Sequence, residues 1–336
     1  MLRFIKIITI ILSLLLVSPI LARAIDLGSL GGGDGSVTGL MVPSVPTPGE
    51  NVSIELSSNS FNIDTANIVW SVNGKAIFSG KGEKRISVKS GTIGTQTEVV
   101  AIIEGPDGSS IKKMFVIIPT AVDMIFEADT YTPAFYSGKA LPTSEAKVKV
   151  WAIPHLRLKD GTEIPRNELT YTWSVDDEVN GRASGYDKET FSFLMGYLPE
   201  NSPKISVEVY SQEYNMKAVG ELKISQSNPE IIFYEDSPQS GLKLNKAIGD
   251  KMFMDGPELT IFGSPYFFSE KNQPSKNFNY KWYINGEEQN NKTTKLTVRK
   301  PNTSGKSSVS FSIEGIKKLF QSTKKETTIE YEASNL

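Results

Sequence analysis

The 336 residues contain no cysteine and a single histidine, His155. No disulfide can staple this chain, and thiol catalysis and zinc–thiolate sites are excluded. One imidazole is too few for a His-built metal centre or for most Ser-His-Asp arrangements. There is no excess of basic charge either: 36 Lys and Arg stand against 38 Asp and Glu. Nucleic-acid binding needs a basic footprint, so no nucleic acid is expected as a partner. Long apolar runs and long helical periodicities are also missing, except at the N-terminus.

That exception is MLRFIKIITIILSLLLVSPILARA, residues 1–24. Arg3 and Lys6 form a basic head. The apolar stretch Ile7 to Leu21 is shorter than the ~20 residues that span a bilayer, and Pro19 breaks it. Ala22-Arg23-Ala24 then offers small residues at both positions read by a signal peptidase. Residues 1–24 are expected to be a signal peptide cleaved after Ala24, with an uncleaved anchor as the alternative. No lipidation cysteine and no second apolar span follow, so no transmembrane span is expected in the mature chain. The destination is periplasmic, cell-surface or extracellular. Removing this segment, which holds Arg3, Lys6, Arg23 and no acid, takes the net charge from −2 to −5. Residues 25–41 are dominated by Gly and Ser and read as a flexible linker.

Beyond the linker the chain repeats itself. IVWSVNG, YTWSVDD and YKWYING place Trp70, Trp173 and Trp282 in matching surroundings. An alternating run precedes each tryptophan: Val52-Ile54-Leu56, Val148-Val150-Ala152 and Leu259-Ile261-Gly263. The last two reach a proline three residues beyond an aromatic, Trp151 to Pro154 and Phe262 to Pro265. After each tryptophan come a short strand pattern (ISVKSG, FSFLMG, LTVRKP), a longer one, and a closing strand. Period-2 alternation of this length marks half-buried strands, and Asn73-Gly74 and Asn285-Gly286 are strong hairpin dipeptides.

This pattern resembles the immunoglobulin-like and PKD-type repeats of exported bacterial surface proteins, over roughly residues 42–334. The acidic signature early in PKD units is not intact, which leaves PKD against other immunoglobulin-like groups open. The resemblance implies an all-β chain of three tandem antiparallel sandwiches, at 42–119, 120–226 and 227–336. It also implies that Trp70, Trp173 and Trp282 are core residues packing without a disulfide. The second and third units each carry a long connection, chiefly residues 127–142 and 235–251. Tyr131, Phe135 and Tyr136 in the first of these are a candidate recognition loop. The alternative for them is a plug between the first two units.

Motifs that could carry chemistry are incomplete. Gly305-Lys306-Ser307 lacks the earlier glycine of a phosphate loop. Ser144 and Lys147 have S-x-x-K spacing without its partner motifs. Asp176, Asp177 and Glu178 cluster at a turn, and Asp123, Glu127 and Asp129 cluster near the first junction. Either set is a minor candidate for Ca²⁺, without EF-hand spacing. No other cofactor is expected, and no enzyme. The expected function is an exported structural or adhesive protein that binds a protein or glycan at the cell envelope. The alternative is a periplasmic accessory of a secretion or pilus system that docks by strand addition.

Overall fold

The computed structural model describes residues 37–198, 202–270, 277–318 and 320–333. The expected signal peptide and residues 25–36 of the expected linker lie outside the described residues. The end of that linker needs correction, because Val37–Val42 is a strand, β1, with Val37 fully buried. A Gly-rich stretch hid it. A Cβ on Gly39 would collide with the Phe115 ring, so this glycine serves close packing, not flexibility.

Two compact units make up the chain. Among the described residues, one comprises Val37–Met41 with Ser53–Ser87 and Glu98–Val116. The other comprises Val42–Val52, Val88–Thr97 and residues from Ile117 onward. The first seven strands are β1, β2 (Asn51–Ser58), β3 (Asn67–Val72), β4 (Lys75–Lys81), β5 (Arg85–Lys89), β6 (Thr97–Glu104) and β7 (Ser110–Ile117). They form two sheets, β1-β2-β5 and β4-β3-β6-β7.

The next eight are β8 (Ala121–Ala128), β9 (Lys147–His155), β10 (Thr170–Val175), β11 (Glu178–Val179), β12 (Gly185–Tyr186), β13 (Thr190–Leu194), β14 (Lys204–Ser211) and β15 (Met216–Lys223). Their sheets are β13-β9-β8 and β11-β10-β14-β15, with β12 on the end of β10. The last nine are β16 (Glu230–Ser237), β17 (Gly241–Ile248), β18 (Lys251–Phe253), β19 (Glu258–Tyr266), β20 (Phe278–Ile284), β21 (Glu287–Gln289), β22 (Lys295–Arg299), β23 (Gly305–Gly315) and β24 (Ser322–Tyr331). Their sheets are β17-β16-β19-β22 and β18-β24-β23-β20-β21, with β18 parallel to β24.

The same path is drawn three times, a three-strand sheet facing a four-strand one. These are tandem immunoglobulin-like sandwiches. The third adds β17 and β18. The long connection expected at 235–251 is therefore corrected: most of it is a strand arm, β17 returning along β16 across a register shift between Tyr234 and Asp236.

One hydrogen-bond scheme recurs in all three. Trp70, Trp173 and Trp282 lie on β3, β10 and β20 with no exposed surface. Each indole Nε1 donates to a main-chain carbonyl: Glu83 at 2.7 Å, Lys188 at 2.8 Å and Thr293 at 2.8 Å. Each acceptor stands two residues before the edge strand of the opposite sheet, β5, β13 or β22. The following carbonyls, of Lys84, Glu189 and Thr294, accept from the N–H groups of Leu56, Ala152 and Gly263. The residue three after each tryptophan is Asn73, Asp176 or Asn285, each at φ 49°. Their side-chain oxygens accept from the N–H groups of Glu98, Lys204 and Ser308. Asn and Asp tolerate this left-handed geometry because they can bond locally. W-x-x-[N/D] thus ties the central strand to the opposite sheet and to its own neighbour.

Packing around the tryptophans is tight. Trp173 stacks on Phe191 (5.7 Å), and Trp282 lies between Phe233 (5.7 Å) and Phe311 (4.2 Å). Gly263 makes room for Phe311, whose ring would stand 2.5 Å from a Cβ there. In the second core Tyr171 donates to the Arg166 carbonyl at 3.0 Å. Burial, and then the Glu189 carboxylate, push its pKa up to about 12.

Two outcomes follow from this packing. Trp173→Phe leaves the Lys188 carbonyl without its donor and is expected to cost about 1–3 kcal/mol of unfolding free energy in a urea titration. The raised pKa of Tyr171 means the fold favours its neutral phenol. That contribution is complete below pH 10 and is lost as pH rises toward 12, so the denaturation midpoint should fall over that range, and less so in Tyr171→Phe.

Candidate functional site

The three tryptophans of the repeats offer nothing to a ligand. The aromatic loop after β8 goes elsewhere than expected. It does not plug between the first two sandwiches; it packs on the third. Tyr131 N–H donates to the Phe268 carbonyl (2.8 Å), and Phe267 N–H donates back to the Tyr131 carbonyl (2.7 Å). Phe135 meets Tyr234 edge-on at 5.7 Å, and Tyr136 meets Tyr266 and Phe267 at 5.4 and 5.7 Å. Thr130 Oγ1 closes the loop on the Leu141 carbonyl at 2.9 Å. Hydrophobic gain explains the docking, since each ring finds an aromatic surface on β16 or β19. Burial lowers the pKa of Lys139, whose ammonium lies 3.2 Å from the centre of the Phe126 ring.

A buried polar seam reinforces this junction. Gln321 is fully buried. Its Nε2 donates to the Ser144 carbonyl (2.7 Å) and to Thr143 Oγ1 (3.3 Å), and its Oε1 accepts from Ser269 N–H (2.7 Å). Thr143 Oγ1 donates onward to the Phe267 carbonyl at 2.7 Å. No sequence pattern marked Gln321, because its importance lies in partners far away in the chain.

The acidic clusters are dispersed into hydrogen bonds. Asp176 Oδ1 accepts from Lys204 N–H, and Asp177 pairs with the Lys204 ammonium at 2.6 Å. Asp123 pairs with His155 Nε2 at 2.9 Å. Among the described residues no three His, Cys, Asp or Glu side chains converge as a metal site. Lys306, from the phosphate-loop-like tripeptide, lies on β23 and pairs with Glu330 at 2.7 Å.

The open feature is the outward face of sheet β13-β9-β8. Val148, Val150 and Ala152 point into the core, so the pleat turns Lys149, Trp151, Ile153 and His155 outward. Across the sheet Trp151 pairs with Ile125 and Thr190, and Ile153 pairs with Asp123. Ile125 is 54% exposed. The Lys149 ammonium stands 4.7 Å from the centre of the Trp151 ring system. Glu127, Arg166 and Glu189 join Ile125, Trp151 and Ile153 around a shallow cleft of about 320 Å³. An indole and two isoleucines with charged groups at the rim suit binding better than chemistry. The signal for Trp151 was present in the sequence: it occupies the opposite parity to the buried positions beside it.

No protein-family model and no curated protein matches the chain. Several solved structures are similar to it. One comprises the three N-terminal domains of the bacteriophage RB49 highly immunogenic outer capsid protein, 11% identical over 89% of this chain and 99% of that one, TM-score 0.26. Another comprises fibronectin(III)-like modules of Clostridium thermocellum CbhA, 13% identical over 56% and 94%, TM-score 0.27. A third is the central fibronectin-III array of RIM-binding protein, 10% identical over 87% and 95%, TM-score 0.28. At such scores nothing about this chain is taken from them, and its fold stands on its own sheets.

Gln321→Ala leaves the Ser144 carbonyl and Ser269 N–H buried without their partner. It is expected to cost about 1–3 kcal/mol in chemical denaturation and to expose the 129–146 connection to limited proteolysis.

Proposed function

We propose that this chain is an exported, non-enzymatic repeat protein of structural or adhesive character, which binds a protein or glycan at the envelope or surface of a bacterial cell. The basic, apolar and A-x-A pattern of residues 1–24 supports export. No helix among the described residues is long and apolar enough to cross a membrane. Three sandwiches near 42–119, 120–226 and 227–336 serve as a scaffold, with the first extended back to β1.

The observation that carries the reading is the outward face around Trp151. Three of the four tryptophans are fully buried in repeated core positions; the fourth faces outward beside an exposed isoleucine. An exposed isoleucine beside a half-buried indole and a second, half-buried isoleucine, with ionic groups at the rim, has the composition of a recognition patch. The catalytic alternative is tested beside the binding one, since two carboxylates, Glu127 and Glu189, line the same cleft.

Purified full-length protein should be retained on envelope material of its host, cell-wall glycan or surface protein. Trp151→Ala should lose that retention by about tenfold or more while keeping its unfolding midpoint, as expected for an aromatic anchor. Retention equal in the variant, or turnover of the glycan by the wild type, would overturn the reading.

A further inference from the structure

Two loops that meet at the second junction hold large apolar side chains out toward solvent. Leu194 ends β13, and Tyr197 and Leu198 follow it; Ile316 and Phe320 lie in the turn between β23 and β24. They are 69, 62, 53, 56 and 44% exposed. The Tyr197 and Phe320 rings are 6.0 Å apart, centre to centre, so the two loops present one surface.

Hydrogen bonds fix this presentation. In the amide orientation that satisfies both of its ends, Gln226 donates to the Gly196 and Leu198 carbonyls at 3.2 and 3.3 Å and accepts from Ser144 N–H at 3.2 Å. Gln321 donates to the Ser144 carbonyl at 2.7 Å. The Gln321 carbonyl in turn accepts from Gly315 N–H at 2.8 Å, which closes the turn carrying Ile316 and Phe320. Met195, between the exposed residues, is buried, and its N–H donates to the Ala146 carbonyl at 2.9 Å. The backbone is tied down in both loops, yet the apolar groups face water. Exposed apolar groups gathered in this way forgo their burial energy and mark a surface made for something else to cover.

The charges around the patch select what covers it. Lys147 stands directly across from Leu194 in the pairing of β9 with β13, on the same side of the sheet. Lys317 follows Ile316. Both lysines are exposed, and among the described residues neither has an ion-pair partner. Glu145, the acid nearest Lys147 in sequence, has one carboxylate oxygen buried. Over the segments that meet here, 143–148, 194–200 and 315–321, Lys147, Lys317 and Lys318 stand against Glu145 and Glu200, a positive excess in a chain that is acidic overall. A second copy would set these lysines against themselves, because a two-fold contact joins like to like. An anionic surface with an apolar interior meets both features. Tyr, Phe and aliphatic groups settle at the headgroup boundary of a bilayer, and neighbouring lysines are drawn to anionic lipid.

We propose that this patch seats on an anionic lipid bilayer, with Tyr197, Leu198 and Phe320 entering the headgroup boundary and Lys147 and Lys317 meeting lipid phosphates. This adds a lipid-facing surface to the envelope role and does not depend on the Trp151 face.

The test is co-sedimentation with vesicles of phosphatidylcholine alone and of phosphatidylcholine with about 30% phosphatidylglycerol. The chain from Ile25 onward is used, so that the apolar residues 1–24 contribute nothing. The wild type is compared with Leu198→Ser plus Phe320→Ser, with Lys147→Gln plus Lys317→Gln, and with Trp151→Ala. The wild type should bind the anionic vesicles, and less so as salt rises. The paired serines should weaken binding at least about tenfold, and the paired glutamines should remove the preference for anionic vesicles. Trp151→Ala should bind as the wild type does. No binding by the wild type, or equal binding by the serine form, overturns the proposal. So does a dimer in light scattering that the serine form loses, without vesicle binding, which assigns the patch to a second copy. Wild-type binding that ignores the anionic lipid overturns the role of the lysines. Equal unfolding midpoints for all forms exclude misfolding as the cause.

Discussion

A single hydrogen bond, repeated three times, organises this protein: a buried indole on the central strand donating to a carbonyl just ahead of the opposite sheet's edge strand. With no disulfide across the sandwich, something else must set how the two sheets face each other. The indole does this in two ways. Its area supplies apolar burial at the centre of the core, and its one polar atom fixes the edge strand at a defined height. The adjacent carbonyl then pairs with the middle strand of that sheet, so sheet spacing and strand register are fixed together. A carbonyl left buried without this donor would carry a desolvation penalty, which makes the arrangement difficult to slide.

The residue three positions after the tryptophan extends the same logic sideways. Asn73, Asp176 and Asn285 turn the chain in a left-handed conformation and bind the first residues of the next long strand. Asp176 shows how the acidic cluster here serves the turn: its carboxylate accepts from the Lys204 backbone N–H, and the neighbouring Asp177 pairs with the Lys204 ammonium.

With the cores held internally, the variable parts lie on the outer faces and between modules. At the second junction, aromatic rings from one connection seat on the next sheet, and Gln321 links the connections that lead into β9 and out of β19 through three hydrogen bonds. Buried polar networks of this kind specify one arrangement because any shift leaves several groups unpaired.

The sequence alone determined the class, the three repeats and their buried positions. Alternation at Val148, Val150 and Ala152, the recurring W-x-x-[N/D], and the hairpin dipeptides are all local patterns, and local patterns follow from the two-residue period of a strand. It did not reveal β1, because Gly39 reads as flexibility until Phe115 is seen against it. The arm at 235–251 was also obscured, since its pairing with β16 crosses a register shift. Which surface the Tyr131–Tyr136 loop covers, what Gln321 holds, and that Tyr234 and Tyr266 are covered were decided by the tertiary structure. Each depends on contacts between segments distant in the chain, and no spacing along a strand encodes which outer face will be met by another part of the molecule.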